Sequence, residues 1–256
     1  MLKEDLIQIE AVLSRIINEV ELSVRDYEVT IKEARLLGLY FSVLEISEDL
    51  LFLFKNEKYH LVPFGGRSLL ELTLDIENAC KIDDYLDRLF LTTLKKADGF
   101  SKFVMDNQKE LDPKLVEQKK EALQYSSKEQ EKLKKQGVTK QIFGIKEKYK
   151  LSTVSEYPLM YWQLDRLSME VHTDFRLILE RYDTGKVKSI FENKGFVKTR
   201  RTAISNEDKI LHLQTILIAL MHSTDSIINK FKFKYHNSLN SKLELIHDQI
   251  KKFSNK

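Results

Sequence analysis

The chain has 256 residues and a mass of 30.1 kDa, enough for one large domain or two small ones with a real core. Its 8 glycines and 3 prolines are too few for a turn-rich sandwich, barrel or propeller, and a content of 42% hydrophobic residues excludes a disordered chain. Net charge is only +3, and the one cysteine, Cys80, excludes an internal disulfide or an all-cysteine metal site.

Leu6, Ile9, Leu13, Ile16, Ile17 and Val20 recur at three- and four-residue steps and predict a helix over residues 4–29. Glu4, Asp5 and Glu10 follow Met1 without the basic-then-apolar order of a secretion signal, so a reduced, cytoplasmic location is expected. A second helix is predicted over 30–55, with Ile31, Ala34, Leu37, Leu44 and Leu51 on one side. Pro63, Gly65 and Gly66 predict a loop over 58–66, followed by a helix over 67–81. A fourth helix runs from Asp83, whose acidic start suits a helix dipole, to a stop near Gly99.

Residues 101–150 are rich in Lys, Glu and Gln and are interrupted by Pro113, Gly137 and Gly144. They read as a polar helical insertion within a single domain spanning 1–256. A helix is predicted over 155–182 with Pro158 in its first turn, then a loop over 186–205 with a short strand near Phe196 and Val197. Ser205 stands three residues before Asp208, a capping-box-like start to a long apolar helix reaching about Tyr235. Its uncharged stretch, Ile210 to His222, is shorter than the roughly 20 residues of a membrane span. Leu239, Leu243, Ile246 and Ile250 mark an amphipathic tail helix. The fold class is therefore all-α, a bundle of seven or eight helices.

Two helices carry candidate chemistry. Arg67, Glu71 and Asp75 are four residues apart and form one charged stripe among leucines. The stripe reads as a self-satisfied Arg67–Glu71 ion pair, or as an interior site with acid/base or metal-ligating carboxylates. Further on, Asp165, Ser168 and His172 share a face beside Trp162, which can orient and tune an imidazole. His212 and His222, ten residues apart, lie on different sides of their helix and do not read as a metal pair. No phosphate-binding loop or other cofactor motif is present, so no cofactor or metal is expected.

Charge is distributed unevenly. Residues 1–101 hold 12 basic and 19 acidic residues, whereas 102–150 hold 13 and 8. Between Lys186 and Arg201 six cations, including Lys188, Lys198 and Arg200, meet only Glu192, a pattern that suits a nucleic-acid backbone. Lys230, Lys232 and Lys234 alternate with Phe231, Phe233 and Tyr235, which suits stacking on nucleic acid or the end of a packed helix.

Arg166, five residues and His172 resemble the motif of the HEPN superfamily, all-helical domains that often dimerise. The resemblance implies a metal-independent ribonuclease, with two motifs meeting across a homodimer. His172 would be the general acid or base and Arg166 the phosphate-stabilising cation. Leu167 stands where that family usually has a polar residue. The Arg-Ser-Leu-Leu-Glu helix (67–71) and the later Leu-Ser-Met-Glu-Val-His (167–172) also resemble an uncharacterised family of bacterial helical proteins, which implies that Arg67, Glu71, Ser168 and His172 meet in space. The resulting expectation is an RNA-cleaving toxin or antiviral effector: Arg67 and Glu71 organise the site, and Lys186, Lys188, Lys198, Arg200 and Arg201 hold RNA. The alternatives are a non-catalytic helical module that binds a protein partner and, behind it, a metal enzyme using Glu71, Asp75 and His172.

Overall fold

The computed structural model describes residues 2–24, 28–142, 144–151, 163, 167, 205–231 and 237–254. Among them are eight α-helices, two short 3₁₀ turns and no strand, so the all-α expectation holds. The helices are α1 (Leu2–Val24), α2 (Ile31–Lys55), α3 (Val62–Lys81), α4 (Tyr85–Asp106), α5 (Pro113–Lys135), α6 (Gly144–Leu151), α7 (Asn206–Phe231) and α8 (Asn237–Ser254). No helix among the described residues is long and apolar enough to cross a membrane. The chain forms two compact units, one of Met1–Glu77 with Thr153–Lys256, the other of Asn78–Ser152. The second unit thus takes in all of α4 as well as the lysine-rich stretch.

In the first unit α7 packs on α2 and α8, and α1 packs on the same two helices, which closes a four-helix ring. The ring follows from the sequence pattern: Leu6, Ile9, Leu13, Ile16 and Val20 of α1 are buried, as are Leu37, Leu44 and Leu51 of α2. Ile31 and Ala34 do not join them. Both are exposed, because the first turn of α2 lies outside the packed stretch that begins at Leu36. That turn is held locally instead. The Glu33 backbone N–H donates to Thr30 Oγ1 at 3.2 Å and the Thr30 N–H donates to Glu33 Oε2 at 2.8 Å, a reciprocal capping box.

Helix α7 is buried without a break from Leu211 to Leu220, so it needs partners on every side. The side away from the ring meets α3 and the helical residue Leu167. A Cβ built on Gly66 would lie 3.5 Å from Leu167 Cδ1 and 3.6 Å from Thr215 Cγ2. The start of α7 is capped as its sequence implied, with Ser205 Oγ accepting from the Asp208 N–H at 3.0 Å and donating to Asp208 Oδ2 at 2.9 Å. The helix ends at Phe231, which is buried; residues 232–236 lie outside the described set.

Two sequence-based boundaries need correction. The segment 58–66 is not a loop: a 3₁₀ turn at Tyr59–Leu61 leads directly into α3 at Val62. Pro63 falls in the first helical turn, where a missing N–H costs nothing, and Gly65 lets the helix approach Leu50 closely. Nor does Gly99 stop α4, which continues to Asp106. A mid-helix glycine costs about 1 kcal/mol, and burial of Ser101 and Val104 beyond it outweighs that.

The second unit is a hairpin of α4 and α5 with α6 following. Its core contains Leu91, Leu94, Leu133 and Val138, with Phe90 packed against them. Only Ser126 and Leu133 of α5 are buried, so this helix is as solvated as its composition implied. Gly137, with φ of 84°, ends it in a Schellman motif. The Val138 N–H reaches Leu133 O at 2.9 Å, the Gly137 N–H reaches Lys134 O at 3.0 Å, and Val138 and Leu133 share the core. The returning chain is fixed to α4 by Thr92, whose Oγ1 accepts from the Ile142 N–H at 3.0 Å.

Candidate functional site

The charged stripe of α3 is a real surface feature at one end and a buried one at the other. Arg67 Nε donates to Glu71 Oε1 at 3.0 Å, with side chains 25% and 33% exposed, while Asp75, one turn further, is buried. The helix forms this gradient because its first turns lie at the edge of the unit and its middle runs against α7. Half-burial strengthens the Arg67–Glu71 pair relative to a fully solvated one, and bonding through Nε fixes the plane of the guanidinium.

The second candidate helix contributes two described residues, Gln163 and Leu167, both helical and buried. Leu167 lies against Gly66, the residue before Arg67. Gln163 is fully buried, and neither of its amide atoms has a hydrogen-bond partner. A buried amide left unbonded costs about 1–3 kcal/mol. Arg166, Ser168 and His172 lie outside the described residues, as do Lys186, Lys188, Lys198, Arg200 and Arg201. The short strand expected near Phe196 and most of the helix expected over 155–182 fall there too.

A second polar group, which the sequence reading did not single out, lies deeper between α3, α7 and α8. Ser223 Oγ donates to Thr73 Oγ1 at 3.1 Å. One turn on, Glu77 Oε1 stands 3.6 Å from His222 Nδ1, the carboxylate being 7% and the imidazole 18% exposed. That separation is beyond a hydrogen bond and gains strength only when His222 is protonated. His247 of α8 is buried as well, with no hydrogen-bond partner on Nε2. Burial first, and then the charges of Lys251 and His222, push its pKa down to about 4 against the pull of Asp248. The interior therefore keeps His247 neutral at physiological pH. Three residues from three distant stretches make this group, so no local spacing could reveal it. The clue present in the sequence was the number of polar residues within an apolar helix: His212, Gln214, Thr215, Ser223 and Thr224 of α7 are all buried.

No group of three or more His, Cys, Asp or Glu among the described residues could hold a metal ion. Compared with protein-family models, with curated proteins and with solved structures, the chain matches none.

Proposed function

We propose that the chain is a HEPN-like, metal-independent endoribonuclease, a bacterial toxin or antiviral effector working as a cytoplasmic homodimer. The observation that supports this reading best is the packing of Leu167 against Gly66. These residues are the sequence neighbours of Arg166 and Arg67, so the helix with the Arg166–His172 motif and the charged start of α3 belong to one site. Arg67, held by Glu71, then adds a second guanidinium beside Arg166.

The chemistry follows from the residue types. With no metal to activate water, the nucleophile is the 2′-hydroxyl of the RNA. His172 takes the hydroxyl proton as the 2′-oxygen attacks phosphorus. The bond from phosphorus to the 5′-oxygen breaks, and the leaving oxygen receives a proton from the second copy's imidazolium. Arg166 neutralises the charge gathering on the phosphate oxygens. Lys186, Lys188, Lys198, Arg200 and Arg201 hold the flanking backbone, so affinity falls as salt rises.

The test is cleavage of total RNA by purified protein with EDTA present. Wild type should cut, and His172→Ala and Arg166→Ala should each lower the rate by about 10²–10⁴-fold, the range of a lost general acid or base. Intact RNA after incubation with folded wild type would contradict the reading and favour a protein-binding module.

A further inference from the structure

The hairpin of α4 and α5 displays features that the candidate site does not use. Phe100 and Phe103 of α4 are 55% and 61% exposed, a third and a fourth residue step from Gly99 and Lys96 respectively, so the rings and Lys96 share one outer face. Lys119 of α5 places its ammonium 5.1 Å from the centroid of Phe100. Around the helix from this face, a groove of about 570 Å³ runs between α4 and α5. Lys95 and Lys102 line its α4 side and Lys134 its α5 side, while its acid Asp98 is engaged by Gln130 Nε2 at 2.6 Å. From Lys95 to Lys150 the chain holds 15 basic and 9 acidic residues.

We infer that this face binds single-stranded nucleic acid, with bases stacked on Phe100 and Phe103 and phosphates against Lys95, Lys102 and Lys134. Exposed rings interleaved with cations are what a strand with unpaired bases requires, because each base offers a flat face at every step of a charged backbone. A duplex hides those faces. A protein partner would be served better by a contiguous apolar patch, and here lysines stand beside each ring. The choice of RNA over DNA as the strand rests on the ribonuclease reading; the docking itself does not.

Two 15-nucleotide strands that 2′-hydroxyl attack cannot cut, 2′-O-methyl oligo(U) and oligo(dT), separate binding from cleavage. Fluorescence anisotropy with the full chain should show both bound. Affinity should fall about twentyfold between 50 and 200 mM salt, as expected for three phosphate contacts on a single strand. The Phe100→Leu/Phe103→Leu variant should lose at least about tenfold in affinity, while Phe100→Tyr/Phe103→Tyr keeps it, since stacking contributes about 1–3 kcal/mol per base. No binding, a preference for duplex, or full affinity in the leucine variant would overturn the inference. Tighter binding of oligo(dT) would overturn the choice of RNA. Binding without any RNA cleavage would support this surface and sink the nuclease. Cleavage by wild type alongside undiminished binding by the leucine variant would do the reverse.

Discussion

Single residues decide how the first unit tolerates change. Gly65 and Gly66 sit side by side in α3, yet a Cβ on Gly65 would meet Leu50 Cδ2 at 2.7 Å and Cγ at 3.2 Å, whereas one on Gly66 makes only ordinary contacts. Replacing either glycine by alanine gains about 0.5–1 kcal/mol of helix propensity. Overpacking a buried leucine costs about 1–3 kcal/mol. Gly65→Ala should therefore be destabilising and Gly66→Ala neutral or stabilising, which denaturant melts of the two variants will check. His247 makes a prediction about pH. Its pKa in the folded state is about 4, below the ordinary histidine value. As pH falls through 6.5 the unfolded chain takes up a proton that the folded one refuses, so stability is complete at neutral pH and declines toward pH 4. Allowing for solvent near the ring, about 1–2 kcal/mol should be lost over that window. His247→Leu should abolish this part of the acid sensitivity in melts at pH 4.5 and 7; an unchanged difference between the two pH values would show the group to be elsewhere. The Arg67–Glu71 pair was legible in the sequence because i, i+4 spacing on one helix is enough to bring its members together. The Glu77, His222 and His247 group was not, because it depends on how three helices pack.

At the scale of elements, two helices end in the same device with different residues. Helix α2 closes with the Lys58 N–H on Leu53 O at 2.8 Å and the Glu57 N–H on Phe54 O at 3.1 Å, the bonds that Gly137 and Val138 make at the end of α5. The left-handed position is glycine in α5, but in α2 it is Glu57, with φ of 58°. A side chain with a Cβ costs about 1–2 kcal/mol in that conformation. Glu57→Gly should accordingly stabilise the protein by about 1 kcal/mol, and Gly137→Ala should destabilise it by a similar amount, both read from the denaturation midpoint. An opposite sign for either would mean that the turn relaxes to another conformation. The same elements show where periodicity is a reliable guide. It placed the cores of α1 and α2 and the cap of α7, all of which depend on local spacing. It misplaced the start of α3 and the end of α4, because proline and glycine were read as breaks while long-range burial of Leu50, Ser101 and Val104 favoured continuous helix.

At the scale of the whole molecule, two units divide the work. The first buries its central helix completely, and its candidate catalytic residues gather where α3 begins. The second has a small apolar core and a surface of lysines and exposed rings, which is what a docking platform needs rather than what a core needs. The lysine-rich character of 101–150 was evident from composition; that the unit reaches back to Asn78 was not, since α4 looks like any amphipathic helix until its partner is known. The central claim is that RNA is cut by its own 2′-hydroxyl through Arg166 and His172. The most direct measurement is the chemistry of the cut ends when wild type cleaves RNA in EDTA. The account predicts a 2′,3′-cyclic phosphate on one side, a 5′-hydroxyl on the other, and neither product from His172→Ala. Ends bearing a 5′-phosphate, or cleavage that appears only when a divalent ion is restored, would contradict it.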